Sequence, residues 1–286
     1  MRQPLHLVDV FARERYAGNQ LAVVTDASDL DDAEMQALAA EIDFSETTYV
    51  ETDADAGPQA DGTWPVRIFT PEAEIPFAGH PTLGTAHVIQ EHLADGEPDE
   101  VVLDLDVGEV PVGVRESAEG VETLWMTQRP PTFGDELAHA DLAAVLGLNT
   151  AALDGDYPVQ VVSTGLPTVV VPLADRDALE RVDVDRAVYD AVTGEREAKN
   201  VLAFAPDPRD DANDFAVRVF APHYGVPEDP ATGSSNGCLA AYLVRHEFGG
   251  REPDDRGQVT FDARVEQGYE MDRPSLVHLE ARTNEE

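Results

Sequence analysis

The residue in this sequence best suited to proton transfer is a glutamate in a β-prone run. Glu46 lies within Phe44–Val50, among hydroxyl and aromatic side chains. Side chains alternate between the two faces of a strand, so Glu46 would face inward with Thr48. Apolar surroundings raise the pKa of a carboxyl, which suits it to take and return a proton near neutrality. On this segment alone an exposed strand carboxylate is the simpler interpretation, because the chain has 57 acidic residues.

The other candidates lie in two segments that share one plan. Val66–His92 and Val217–Leu243 each read as a strand, a proline-containing loop, a small-residue turn and an apolar helix. The matched positions are Val66, Arg67, Phe69, Pro71, Pro76 and Gly84, which correspond to Val217, Arg218, Phe220, Pro222, Pro227 and Gly237. A helix N-terminus presents unpaired amides and the positive end of the dipole, so such turns suit an anion. The repeat predicts two similar halves, each presenting one helix N-terminus, with a ligand between them.

Polar residues mark both of these helix starts. Glu228 and Asp229 precede the second helix, where a simple interaction with the helix dipole is their alternative role. The run Pro230–Gly233 separates them from the helix, which leaves Ser234 and the following amides facing whatever the loop encloses. His80 occupies the matching place in the first segment. A lone histidine is more often a structural hydrogen-bonding group, but its position makes an active-site role competitive.

Several other chemistries lack the residues they need. Cys238 falls inside the second helix beyond its first turn, where a small apolar residue packs well, so a nucleophilic role is disfavoured. Lys199 is the only lysine and belongs to no phosphate-binding loop, and no glycine-rich dinucleotide motif opens a helix. The spacing of His80, His87 and His92 matches no common metal set. We therefore expect neither a metal nor a cofactor.

The composition indicates the environment of the protein. The chain has 286 residues, 57 acidic against 19 basic, and a formal net charge of −38. The acidic residues are spread through apolar periodic segments, which indicates a solvated surface adapted to a high-salt cytoplasm rather than an acidic partner-binding face. Nucleic acid and anionic membranes are poor partners for such a surface. The single cysteine and the absence of a long apolar run predict a cytoplasmic protein without a membrane span.

The elements that must position these residues indicate an α+β fold. Alternating and apolar runs predict antiparallel strands in both halves, each set surrounding one central apolar helix. Further helices are predicted over Asp29–Ile42, Gly134–Leu148 and near Asp183–Val192. The proline pair Pro130–Pro131 is the predicted domain boundary. We expect an N-terminal lobe over residues 1–129 and a C-terminal lobe over 130–286, the last strand of which could cross back.

Separated motifs, in order, resemble the PhzF-like family of phenazine-biosynthesis isomerases. They are Phe44–Thr48, Phe77–Ala86, Asp229–Ser234, and Glu266–Gly268 with Arg273–Ser275. The resemblance implies the diaminopimelate-epimerase-like fold: two pseudosymmetric lobes, each a barrel-like sheet around a helix, with the active site in the cleft. It also implies a homodimer that isomerises a small carboxylate without a cofactor, the family type reaction being that of trans-2,3-dihydro-3-hydroxyanthranilate. By the same resemblance Glu46 is the acid/base residue, His80, Asp229 and Ser234 complete the site, and Gly79 and Gly233 contribute backbone contacts.

Two other functions remain open at this stage. The first is a racemase or epimerase of the same fold. By resemblance, such an enzyme would use two thiols, one cysteine at each helix start, whereas this chain has only Cys238, displaced from that position. A non-catalytic protein that binds small carboxylates would keep the helix-start turns but would not need Glu46. Loss of proton exchange in a Glu46→Gln variant separates catalysis from binding.

Overall fold

The structure is a computed structural model that describes residues 3–52, 57–96, 98–116, 121–255 and 257–283. Its described residues form two compact units. The first unit comprises Met1–Val10 and Asn19–Thr127, and the second comprises Phe11–Gly18 and Gln128–Glu286. Each unit combines one mostly antiparallel sheet with a few helices, so the predicted α+β class is confirmed.

The first unit is an eight-stranded sheet with two helices. Its strands are β1 (Leu5–Val10), β2 (Asn19–Val24), β3 (Thr47–Val50), β4 (Trp64–Phe69), β5 (Glu74–Ile75), β6 (Glu100–Leu105), β7 (Gly108–Glu116) and β8 (Glu122–Met126). Its helices are α1 (Asp32–Ile42) and α2 (Gly79–His92). The strands follow the order β1-β2-β3-β4-β6-β7-β8, and β5 pairs with β4. Helix α2 contacts β1, β2, β3, β6, β7 and β8, so the sheet curls around it.

The second unit repeats this plan with four helices. Its strands are β9 (Thr132–Leu137), β10 (Val159–Ser163), β11 (Thr168–Pro172), β12 (Asn200–Ala205), β13 (Phe215–Ala221), β14 (Val226–Asp229), β15 (Thr260–Gln267) and β16 (Ser275–Arg282). Its helices are α3 (His139–Val145), α4 (Arg176–Glu180), α5 (Arg186–Thr193) and α6 (Gly233–Arg245). Short 3-10 turns span Thr150–Ala152, Pro222–Tyr224, Phe248–Gly250 and Tyr269–Met271. The strand order is β16-β15-β13-β12-β11-β10-β9, and β14 pairs with β13.

The strand pairings show that the sequence repeat is a structural one. In the first unit β2 and β3 run parallel, β3 and β4 antiparallel, and β4 and β6 parallel. In the second unit the corresponding pairs β11–β12, β12–β13 and β13–β15 run in the same senses. In each unit the long central strand also pairs with a two- to four-residue strand just before the central helix, β5 or β14. The predicted two similar halves are therefore confirmed at the level of topology.

Burial on both faces of the second sheet explains its uninterrupted apolar strands. Val170 of β11 belongs to the core that contains Leu239 of α6. Its neighbours Val169 and Val171 belong to a second core, which contains Leu142 of α3. A strand covered on both faces needs no polar alternation. Among the described residues, no helix has both the length and the apolar character required to cross a membrane.

The helix predicted over Gly134–Leu148 is wrong in its first part. That stretch begins within β9, an edge strand that pairs antiparallel with β10, and only α3 is helical. Gly134 lies so close to β10 that a Cβ there would sit 3.2 Å from Cβ of Val161. The conformation of β9 is decided by pairing with a strand some 25 residues further along the chain. Local propensity carries no information about such a partner.

Candidate active site

Glu46 lies at the entrance to β3 rather than within a strand. Asp43, in the left-handed region at φ 58°, ends α1, and the strand begins only at Thr47. All four residues of β3 are buried, so the alternation expected for Phe44–Val50 is wrong. The side chain of Glu46 nevertheless turns inward, being 17% exposed, and its Oε2 lies 3.5 Å from Nε2 of His80.

His80 is the second residue of α2 and its side chain is 6% exposed. Nδ2 of Asn19 lies 3.4 Å from its Nδ1, so contacts from two elements fix the ring. Burial lowers the pKa of His80 to about 3, against the opposing effect of a backbone hydrogen bond with Gln20. The imidazole is therefore neutral at physiological pH, and the carboxyl of Glu46 faces a neutral hydrogen-bonding group.

Contacts between β3 and α2 hold these two side chains in place. Oγ1 of Thr48 lies 2.7 Å from Oγ1 of Thr85, which ties the strand after Glu46 to the helix that carries His80. A Cβ at Gly84 would lie 2.6 Å from Leu21 and 2.7 Å from Val10, so glycine permits the close approach of α2 to β1 and β2. This accounts for one of the two glycines matched in the repeat.

The start of α2 also presents its backbone amides. Gly79 is the first residue of the helix, and Ala78 at the N-cap position provides no side-chain hydrogen bond. No acidic residue lies in the first turn. Since the first amides of a helix have no acceptor within it, this end can receive an anion or a carboxyl oxygen. The first unit thus places Glu46, His80 and Gly79 around one helix N-terminus.

In the second unit Asp229 is the last residue of β14, so the loop expected to carry both acids is partly a strand. The hydroxyl of Thr232 donates to Oδ2 of Asp229. The preceding Glu228 has a different role, because it accepts two hydrogen bonds from Arg218, at 2.8 and 2.7 Å. Arg218 is 9% exposed, so this is a largely buried structural ion pair. Of the two adjacent acids, Glu228 is committed to the fold.

Gly233 and Ser234 form the first turn of α6 and are half-buried. Among the described residues, Thr232 at the N-cap position makes no side-chain cap bond to the helix amides. The carbonyl of Gly233 accepts a hydrogen bond from Nε2 of Gln128 at 2.8 Å. A Cβ at Gly237 would collide with the same Gln128 side chain, which explains the second matched glycine. The second unit thus places Asp229, Gly233 and Ser234 around its own helix N-terminus.

Cys238 lies in the second turn of α6 and is fully buried. Burial raises the pKa of its thiol, against weaker opposing hydrogen bonds from Thr164. A buried thiol of raised pKa is a poor nucleophile, which agrees with the expected packing role. Within the described ranges, no three His, Cys, Asp or Glu side chains are grouped so as to hold a metal ion.

Sequence reasoning missed the polar residues that support the site. Gln128 anchors the first turn of α6, Asn19 contacts His80, and Gln267 accepts a hydrogen bond from the backbone N–H of Thr232 just before α6. Gln267 lies in one of the motifs that carry the family resemblance, yet the roles of Gln128 and Gln267 depend on contacts across 105 and 35 residues of chain. Local patterns contain no signal for contacts of that range.

The fold defines a class of α+β proteins built from two similar units. A probable proline racemase from Agrobacterium radiobacter shares the fold, with a TM-score of 0.55 at 12% identity, covering 99% of this chain and 92% of that one. A PhzF-family phenazine biosynthesis protein from Bacillus anthracis is much more similar, with a TM-score of 0.86 at 27% identity over 98% of this chain and 91% of its own.

Comparison of the sequence with known proteins identifies the family. Residues 8–286 match the PhzC-PhzF family, described as phenazine biosynthesis-like protein. The trans-2,3-dihydro-3-hydroxyanthranilate isomerase of Pseudomonas aeruginosa is 36% identical over 278 residues, which cover 96% of this chain and 89% of that protein. The chain belongs to the phenazine biosynthesis-like family, and the predicted class of enzyme, an isomerase, is confirmed.

Proposed function

We propose that the protein is a cofactor-independent isomerase that moves a proton on a small carboxylate substrate, with Glu46 as the acid/base residue. One observation carries this proposal: the largely buried Glu46 carboxyl lies 3.5 Å from the buried His80 ring at the N-terminus of α2. The Glu46 carboxyl is thus held beside an imidazole that burial keeps neutral, with most of its surface removed from water. Such placement suits a group that exchanges a proton with substrate.

In the proposed reaction Glu46 takes a carbon-bound proton and returns it to another carbon of the same substrate. The C–H electron pair shifts into the substrate's π system and another pair takes up the returned proton, so no outside oxidant or reductant is required. His80, being neutral, orients the Glu46 carboxyl and a substrate polar group without adding charge. Asp229 orients an amine or hydroxyl, while Ser234 and the backbone at Gly79 and Gly233 bind the carboxylate.

A carboxylate is the substrate group that the helix starts favour. The named Pseudomonas relative acts on an anthranilate derivative, and we propose a substrate of the same chemical type here. A net charge of −38 opposes the approach of any anion. The amides at the helix starts, at the positive ends of the helix dipoles, would therefore provide the local attraction for the substrate carboxylate that the net charge of the molecule does not.

Incubation of the wild-type enzyme with trans-2,3-dihydro-3-hydroxyanthranilate in deuterated water tests the proposal. We expect an isomerised product that carries deuterium at the carbon receiving the proton. Inversion of a stereocentre without a double-bond shift would instead establish the racemase alternative. Binding of small carboxylates without any exchange, across a panel of such compounds, would establish the binding protein and overturn the proposal.

We further propose that the protein works as a homodimer in a salt-rich cytoplasm. The edge strand β1 exposes 48% of Leu5 and 63% of Leu7, two side chains on one face that water solvates poorly. The single cysteine and the acidic composition support the salty intracellular setting. Sedimentation in 2 M KCl should show a dimer that Leu7→Asp weakens, and a monomeric wild type would refute the assembly.

A further inference from the structure

The side chain of Gln267 makes four hydrogen bonds to the segment that carries Asp229 and the start of α6. Gln267 ends β15 and is 1% exposed. Its Nε2 donates to the carbonyl of Asp229 at 2.8 Å and to Oγ1 of Thr232 at 3.1 Å. Its Oε1 accepts from the backbone N–H of Thr232 at 3.2 Å and from Nδ2 of Asn236 at 2.8 Å. Every hydrogen-bonding position of the amide is used.

These partners fix the orientation of the amide without ambiguity. The carbonyl of Asp229 can only accept, and the N–H of Thr232 can only donate. If the amide of Gln267 were reversed, its oxygen would face the carbonyl oxygen of Asp229 and its NH₂ would face the N–H of Thr232, and neither pair could form a hydrogen bond. Because Oγ1 of Thr232 accepts a hydrogen bond from Gln267, its own hydroxyl proton is directed to Oδ2 of Asp229. A directed chain of hydrogen bonds runs from Gln267 through Thr232 to the Asp229 carboxylate.

Residues that follow Gln267 also contact Pro230, in the loop before α6. A Cβ at Gly268, which has φ of 77°, would collide with the carbonyl oxygen of Pro230. The hydroxyl of Ser275 donates to that oxygen at 3.0 Å. The chain around Gln267 therefore fixes the loop directly before α6. The N-cap residue of that helix, Thr232, makes no side-chain cap hydrogen bond of its own.

We propose that Gln267 is a positioning residue for the isomerase reaction. Acting through Thr232, it sets the direction of the Asp229 carboxylate, and it sets the place of the amides that begin α6. This inference rests on the proposed function, in which Asp229 orients the substrate and the α6 amides bind its carboxylate. It predicts that a change at Gln267, which would not touch the substrate, lowers the rate of reaction out of proportion to its effect on stability.

The test compares two buried glutamines of the second unit. Gln267→Met keeps length and removes all four bonds. Gln160→Met is the matched control, because Gln160 is 8% exposed and bonds the carbonyl of Gly134 and the ring of His246, away from the loop before α6. With each variant assayed at the same interval below its unfolding midpoint, Gln267→Met should lower kcat at least tenfold. Gln160→Met should keep kcat within twofold.

A second variant gives a readout that a merely structural role would not move. In Gln267→Glu the ionised side chain can accept hydrogen bonds but cannot donate one to Oγ1 of Thr232. The hydroxyl of Thr232 would then donate to the new carboxylate instead of to Asp229. When protonated, the new side chain regains a donor. We expect the kcat of Gln267→Glu, relative to wild type, to recover at least fivefold as the pH falls. This variant decides the matter alone if Gln267→Met does not fold.

The outcomes separate this inference from the proposed function. If the wild type turns over its substrate and Gln267→Met matches Gln160→Met in kcat, the positioning role is wrong and the proposed function stands. A flat relative pH profile for Gln267→Glu would overturn the positioning role equally. If the wild type shows no proton transfer on any small carboxylate, the proposed function has failed and the positioning role falls with it.

Discussion

At the scale of single residues, the chemistry depends on which groups lose contact with water. Glu46 and His80 come from a loop and a helix start that are 34 positions apart in the chain, and they meet within the first unit at 3.5 Å. Burial keeps His80 uncharged, so it can orient a carboxyl without forming a permanent ion pair that would hold the proton in one place. Glu228 shows the contrast, since its ion pair with Arg218 commits it to structure.

The neutrality of His80 predicts a pH effect on stability. An unfolded histidine has a pKa of about 6.5, whereas the pKa of folded His80 is about 3. Below pH 6.5 the unfolded chain binds the proton and the native protein does not, so this residue makes the protein less stable as pH falls. Between pH 8 and pH 5 the loss amounts to about 2 kcal/mol. Urea denaturation at both pH values should show that the loss on going from pH 8 to pH 5 is larger by this amount in wild type than in His80→Gln; an equal pH response in both proteins would contradict it.

At the scale of elements, the repeat places an equivalent arginine–glutamate pair at the same position in each unit. Arg67 of β4 bonds Glu74 of β5, and Arg218 of β13 bonds Glu228 of β14. Each pair ties the short strand to the long strand just before the central helix. The second pair is more deeply buried, with Arg218 9% exposed against 23% for Arg67. In both units the strand hairpin thus sets where the helix start lies.

The difference in burial predicts unequal effects of matched substitutions. Arg218→Met leaves the half-buried Glu228 without its cation and takes the donor from the carbonyls of Leu179 and Val182. We expect a loss of roughly 3–5 kcal/mol in the free energy of unfolding. Arg67→Met acts on a more exposed pair and should cost about 1 kcal/mol. Urea denaturation of both variants at one salt concentration measures this, and equal losses would refute the structural role of the buried pair.

The sequence predicted the elements where local pattern and tertiary setting agree. The two central helices, the β6–β7–β8 meander and the apolar run at Val169–Val171 are as expected, because spacing and turns specify them locally. The strand β9 was missed because its partner β10 lies beyond the reach of any local pattern. The site residues followed from motif resemblance, whereas the Gln267 contacts came only from the structure. Long-range hydrogen bonds from uncharged side chains leave no periodic signal.

At the scale of the whole molecule, charge is the dominant feature. A net charge of −38 on 286 residues gives strong repulsion within the compact state. Salt screens it, because the Debye length falls from about 10 Å at 0.1 M to about 3 Å at 1 M. The charge also opposes the anionic substrate proposed above, which would make the local helix amides more important to its binding.

Screening predicts that the protein gains stability with salt. Raising KCl from 0.1 to 2 M should raise the midpoint of thermal unfolding by roughly 10 °C, at about 2–4 °C per kcal/mol for a chain of this size. Sorbitol at matched osmolality is the control, since it does not screen charge. A midpoint that does not respond to KCl, or that rises equally in sorbitol, would show that repulsion does not limit stability.

The most direct test of the central claim is the rate of proton transfer in Glu46→Gln. Glutamine keeps the size and polarity of the side chain but cannot carry the proton, so we predict a loss of about 10³ in kcat and in deuterium incorporation. Glu72→Gln, which changes the same charge at an exposed turn position, should leave both within twofold. Glu46→Gln that is folded and transfers the proton within a few-fold of the wild-type rate would contradict the assignment of Glu46.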